Sequence, residues 1–253
     1  MKKENVMQKF FVEKNQIENN KIYIEGKDVN HISNVLRLEK KEKIQICNKN
    51  TLENYIAEIE EIQKEKIITN IVEKLQISVE SNVEIHLYQG LPKADKMELI
   101  IQKTTELGIY KIIPVDMVRC VVKLDEKDIK KKIERWQKIA EGAAKQSKRD
   151  IIPKIENKLK LKDLINKIKE YDIFIVAYEE EEEKTLKQVL KKLENKNNYK
   201  IGILIGPEGG IDLKEIEILK ENGAIIVTLG KRILRTETAP IAMVSNILYE
   251  LEN

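Results

Sequence analysis

The sequence predicts an α/β protein in two parts, a strand-rich N-terminal domain over residues 1–76 and a larger α/β domain over 77–253 built on a mainly parallel sheet. Three observations predict it. Short β-type runs separated by Asn, Lys and Gly clusters fill the first 75 residues. From Val83 the pattern changes to strand, helix, strand, an order that implies a parallel pair. Finally, two short apolar runs, 201–205 and 224–229, end respectively in Gly206-Pro207-Glu208-Gly209-Gly210 and Gly230. Parallel strands point the same way, so both glycine loops are expected at one edge of the sheet, where α/β folds take their ligands.

The length of 253 residues suffices for two ordinary domains, each with its own core. Hydrophobic residues at 42% and charged residues at 35% describe a globular protein, with no apolar run long enough to span a bilayer. The start, MKKENVMQKFFVEKN, is charged throughout and does not resemble an export signal. Cys47 and Cys120 lack CxxC spacing, so neither a zinc site nor a disulfide framework is expected, and a reduced, cytoplasmic protein fits best. Net charge is only +3, but residues 90–160 carry +7 and residues 161–253 carry −3. A polyanion is therefore expected to lie against the middle of the chain.

In order, strands are predicted over 8–12, 21–25, 43–47, 55–62 and 67–74, with one helical piece over 29–36; a small barrel or a sandwich accounts for them. That piece sets His31 and Arg37 near one face. It is either a solvated helix or a phosphate contact through the Arg37 guanidinium. The second domain is predicted as strand 83–89, helix 94–107 stopped by Gly108, and strand 110–115. A helix over 128–147 follows, with Ile129, Ile133, Trp136, Ala140 and Ala143 or Ala144 inward and a lysine face outward. After strand 172–178, five consecutive acids, Glu179 to Glu183, lead into a helix over 184–193. Without His or ligand spacing they indicate a solvated loop, and no metal is expected. A helix over 212–222 separates the two glycine-loop strands, and an apolar helix over 238–251 closes the chain.

Neither glycine loop is a phosphate cradle, since GxxxxGK[ST] and GxGxxG are both absent. The turn Gly206-Pro207-Glu208-Gly209-Gly210 alone is a modest signal. It becomes specific when joined to Leu229-Gly230-Lys231-Arg232-Ile233-Leu234-Arg235-Thr236-Glu237-Thr238-Ala239. Together the two stretches resemble the knotted, SPOUT-class S-adenosylmethionine-dependent RNA methyltransferases, and within them the ribosomal RNA small subunit methyltransferase E family. Similar words run along nearly the whole chain: His31 with Val35-Leu36-Arg37, Gly90-Leu91-Pro92-Lys93, Ile100-Ile101-Gln102-Lys103, Thr105-Glu106-Leu107-Gly108, Arg119, Val121-Val122-Lys123 and Ala144-Lys145-Gln146-Ser147.

The resemblance implies a PUA-like β-barrel that binds RNA, an α/β domain closed by a C-terminal trefoil knot, and a homodimer. It implies methylation of uridine N3 in 16S rRNA of the small subunit. S-adenosylmethionine would lie against Ala177, Leu204, Gly206, Glu208, Gly209, Gly210, Leu229, Gly230 and Leu234. RNA contacts would come from Arg37, Lys93, Lys103, Arg119, Lys123, Gln146 and Arg149. Transfer to N3 is largely a matter of positioning, but a proton must leave as negative charge develops. Glu237 is then a candidate proton acceptor or orienting group, and Arg235 or Arg232 a candidate cation. A plain Arg235–Glu237 ion pair, or a carboxylate capping the last helix, accounts for the same residues. Two rival readings stand beside this one: the same chemistry on another RNA target, and a non-catalytic RNA-binding ribosome-assembly factor.

Overall fold

The computed structural model describes residues 7–76, 78–193 and 198–252. The chain forms two compact units, Met1–Glu80 with Lys145–Ile151, and Ser81–Ala144 with Ile152–Asn253. Each has its own apolar core.

In the first unit the strands are β1 (Lys9–Val12), β2 (Ile17–Glu18), β3 (Lys21–Glu25), β4 (Lys43–Asn48), β5 (Asn54–Ile62) and β6 (Lys66–Leu75). They form one sheet in the order β1-β4-β5-β6-β3-β2. Alternation decides its inner face: Ile22 and Ile24, Ile44 and Ile46, Ala57 and Ile59, and Ile67 are all buried. Register shifts in the β5–β6 ladder help the sheet curl around this core. Among the described residues β1 and β2 do not pair, so the sheet is curled rather than closed by hydrogen bonds. The single helix expected over 29–36 is instead a short α1 (Lys27–Asn30) running into a π-turn, His31–Val35. Past it Arg37 is exposed and held at φ 54°, an uncommon conformation for a residue with a Cβ.

The return of Lys145–Ile151 to this unit has a polar cause. Asp150 is buried and ion-paired with Lys9, and it accepts hydrogen bonds from Asn54 (2.8 Å) and the Ser78 hydroxyl (2.8 Å). Glu80 accepts from the amides of Asp150 (2.7 Å) and Ile151 (2.9 Å) and pairs with Arg149. A boundary drawn along the sequence cannot find such a segment.

The second unit contains β7 (Val83–Gly90), α2 (Lys96–Leu107), β8 (Lys111–Asp116), α3 (Glu126–Gln146), β9 (Lys154–Ile155), β10 (Leu159–Lys160) and α4 (Leu161–Ile165). It continues with β11 (Ile173–Ala177), α5 (Leu186–Leu190), β12 (Tyr199–Ile205), α6 (Leu213–Glu221), β13 (Ile225–Val227) and α7 (Thr238–Leu251). The last two residues of α3 cluster with the first unit. The sheet runs β10-β8-β7-β12-β11-β13, with β9 also on β8, and every pairing is parallel. Helices cover such a sheet, which is why β11 and β12 are largely apolar and why β7, although it carries Glu84, His86 and Gln89, is buried along nearly its whole length.

α3 begins at Glu126, two residues before its expected start, and two other helices differ with a visible cause. Ala94 stands at φ 52°, so α2 begins two residues later, at Lys96. The helix expected over 184–193 is five residues long, started by a capping box between Thr185 and Gln188. Among the described residues no helix is long and apolar enough to cross a membrane.

Candidate active site

The two glycine loops do lie at one sheet edge, but their strands are not neighbours. β11 runs between β12 and β13, and its last residue, Ala177, stands in register with both Ile205 and Val227. Three strand ends therefore open side by side, and a cleft forms above them. It is lined by Ala177, Tyr178 and Glu179 from the end of β11, by Gly206, Glu208 and Gly210 after β12, and by Thr228–Leu234 after β13. Thr236 and Ala239, beside the start of α7, complete it.

Backbone geometry makes this convergence possible. A Cβ on Gly90, at the end of β7, would sit 2.6 Å from Pro207 Cδ and 2.7 Å from its nitrogen, so the β12 loop crosses β7 only over a glycine. Gly210 adopts φ 72° as the loop turns back toward Asp212, whose carboxylate accepts from the Lys214 amide while the Asp212 amide donates to the Glu215 carboxylate. Two buried side chains then pin the last loop. The Gln89 amide donates to Thr236 Oγ1 (3.1 Å), and the Thr236 hydroxyl donates to the Gly206 carbonyl (2.7 Å).

Of the expected cofactor residues, Ala177, Gly206, Glu208, Gly210, Leu229, Gly230 and Leu234 line the cleft. Leu204 does not: it is fully buried in β12, one pleat below the opening. Gly209 faces away and packs against Arg119, whose guanidinium donates to its carbonyl (3.2 Å) and approaches Asp212 at 3.6 Å. Arg119 thus braces the glycine turn.

Among the three catalytic candidates, Arg232 lines the cleft and is exposed, whereas Arg235 is exposed outside it. Glu237 is mostly buried, its side chain 16% exposed, and its carboxylate meets Lys96 at 3.3 Å rather than Arg235. It makes no side-chain cap on α7. Its Oε2 is buried and lacks a well-aligned hydrogen bond. Lys96 also reaches Glu208 at 2.9 Å, and the Lys93 amide donates to the same Glu208 oxygen at 3.0 Å. Burial raises the Glu208 carboxyl, but the bonds from Lys96 and Lys93 outweigh it and hold the group below the usual glutamate value. The Lys96 ammonium is correspondingly raised, chiefly by its hydrogen bond to Glu208. On the cleft wall, burial and a hydrogen bond to Glu180 push Tyr178 up to about 12.

The expected RNA contacts divide. Arg37, Lys93, Lys123 and Gln146 are exposed, with Lys123 paired to Asp116 at 3.1 Å, and Lys103 is tied to Glu106 at 2.9 Å. Arg149 is a correction: it is 5% exposed and committed to Glu80, so it serves the first unit's interior. Sequence reasoning missed Gln89, Lys96, Glu179 and Thr236. None of them carried a distinguishing signal: even Gln89 stands on a strand that also holds Glu84 and His86.

Comparison with known proteins adds independent findings. A family model described as an RNA methyltransferase domain matches residues 79–248, and one described as an RNA methyltransferase PUA domain matches 24–72. The chain is 38% identical to the ribosomal RNA small subunit methyltransferase E of Bacillus subtilis (strain 168), over 97% of this chain and 98% of that protein. It is 34% identical to the protein of the same name from Aquifex aeolicus (strain VF5), over 85% and 88%. A crystal structure of a ribosomal RNA small subunit methyltransferase E from Neisseria gonorrhoeae, bound to S-adenosyl methionine, superposes with a TM-score of 0.85 at 28% identity, covering 97% of this chain and 98% of that one.

Proposed function

We infer the activity from membership and site together: the chain belongs to the ribosomal RNA small subunit methyltransferase E family, and we propose that it transfers a methyl group from S-adenosylmethionine to N3 of a uridine in 16S rRNA. The observation that carries the reading is the cleft itself, where three parallel strand ends are roofed by two glycine-bearing loops. The residues present suit the cofactor. Ala177, Leu229 and Leu234 offer apolar surface for a flat base, the loops bare backbone groups for its polar edge, and the lining carries both carboxylates, Glu179 and Glu208, and cations, Lys231 and Arg232, for a ligand with charges of both signs. When bound, S-adenosylmethionine supplies a methyl group on positively charged sulfur.

The chain's own residues then have two tasks. The loops hold the donor in line with the acceptor, where positioning supplies much of the rate. The other task is to receive the N3 proton and steady the charge that develops, for which Glu237 is the proposed acceptor or orienting group and Arg232 the proposed cation. Arg235, exposed beside the cleft, is proposed to meet the RNA.

For RNA, the proposed contacts are the exposed Arg37, Lys93, Lys123 and Gln146, with Lys103 and Arg119 in supporting positions; the first unit is proposed as the PUA-like RNA-binding domain. We extend the reading to a homodimer acting on the small subunit in the cytoplasm. Val118, Val121, Leu213 and Ile233 are exposed apolar side chains after β8, β12 and β13, of the kind a docked second copy would cover. A single-chain mass in sedimentation at micromolar concentration would remove that part. We also propose the C-terminal trefoil knot; the segment after β11 bonds to Val227 and Thr228, and Thr236 is anchored on Gly206, so the three loops lie against one another. Mechanical unfolding tests this, since a knotted chain extends to less than its full contour length.

The deciding experiment incubates the protein with methyl-labelled S-adenosylmethionine and unmodified small ribosomal subunits, then analyses the rRNA nucleosides. Label is expected as 3-methyluridine. No label with cofactor binding intact would indicate another RNA target, and loss of both would favour the assembly-factor reading.

A further inference from the structure

Lys96 occupies a place that neither the motifs nor the cleft lining reveals. It opens α2, and its ammonium stands between two carboxylates from separate loops, 2.9 Å from Glu208 Oε1 and 3.3 Å from Glu237 Oε2. One carboxylate lines the cofactor cleft. The other begins α7 and carries an oxygen that is buried without a well-aligned hydrogen bond. The three side chains are 29%, 25% and 16% exposed, so water screens them only in part.

We propose that Lys96 is a positioning residue for the transfer, holding the Glu237 carboxylate in place for the acceptor base while tying it to Glu208 at the cofactor. This rests on the methyltransferase reading above. The chemistry favours lysine in this role. A point charge on a flexible stem can address two carboxylates from different loops. The link is also a direct ionic connection between the cofactor side and α7: Glu208 is held by Lys96 and the Lys93 amide, and α2 itself packs against α7. Without the ammonium, two carboxylates would face one another across a partly dry gap and repel. Glu237 would then swing away, while the backbone-built cleft would persist.

The test compares Lys96→Met and Lys96→Arg, alone and combined with Glu237→Gln, in the small-subunit methylation assay, with cofactor affinity measured by calorimetry. For Lys96→Met we expect kcat to fall about 30-fold or more, with KM for subunits and Kd for S-adenosylmethionine each within about threefold. Lys96→Arg, which keeps the charge, should recover most of the lost kcat. In the Glu237→Gln background Lys96→Met should cost almost nothing further, because both act through one group. Wild-type kcat in Lys96→Met, or losses that multiply in the double variant, would overturn the proposal. No transfer by the unsubstituted protein would instead overturn the activity reading on which it rests. Retained calorimetric binding identifies a folded variant in every case.

Discussion

Glu237→Gln is expected to slow methyl transfer by about 10²–10³-fold, within the span usual for a positioned acid–base group, while S-adenosylmethionine affinity stays within about threefold. The substitution keeps the shape of the side chain and removes its charge. Lys96 retains Glu208 as a partner, so the fold loses little. What is lost is the proposed acceptor-side carboxylate, mostly buried and with one oxygen free of any aligned donor. Single-turnover kinetics with labelled cofactor measures it, and an unchanged rate would reduce Glu237 to a structural partner of Lys96. Arg235→Ala should behave differently. Its side chain is exposed outside the cleft, so its effect belongs in KM for the RNA and its salt dependence.

The second large effect concerns stability. Asp150→Ala is expected to destabilise the first unit by roughly 3–5 kcal/mol, because it leaves the Lys9 ammonium buried without its counter-charge. Asn54 and Ser78 lose an acceptor as well. Urea unfolding followed by circular dichroism measures this, and a loss below about 1 kcal/mol would show that Lys9 finds water or another partner. Replacing both partners, as Lys9→Met with Asp150→Leu, should recover much of the loss, since no unpaired charge remains.

The same cluster imposes a pH dependence. Burial raises the Asp150 carboxyl, but bonds from Lys9, Ser78 and Asn54 outweigh it, and the group titrates below its ordinary value. A carboxyl with a depressed folded pKa contributes its stability above the unfolded value, about 3.9 for aspartate, and loses it as pH falls through the folded value. The first unit should therefore lose stability below about pH 4, and the Lys9→Met/Asp150→Leu variant should lose less.

Much of this architecture is local and was legible residue by residue. Period-two alternation located β3 to β6, because one face of each meets the core. Continuous apolar runs marked β11 and β12, because a parallel sheet is covered on both faces. α7 was located to the residue, since Thr238–Leu251 is a mostly apolar helix that follows a polar loop. Boundaries slipped where backbone conformation is special, at Ala94 and at the π-turn after Asn30. The sequence alone, through its glycine words, also determined where a ligand should lie and which family the chain resembles.

Only tertiary structure decided which residues meet there. Strand order placed β11 between the glycine-loop strands and so made Ala177 the floor of the cleft, a non-local fact that no periodicity encodes. Folding joined Gln89 to Thr236 across 147 positions and Lys96 to Glu237, and it turned Arg149 inward to Glu80. A charge or an amide in the sequence has no preferred partner until the chain brings one within about 3 Å, and whether it binds a ligand or braces the fold is then settled by what water can still reach.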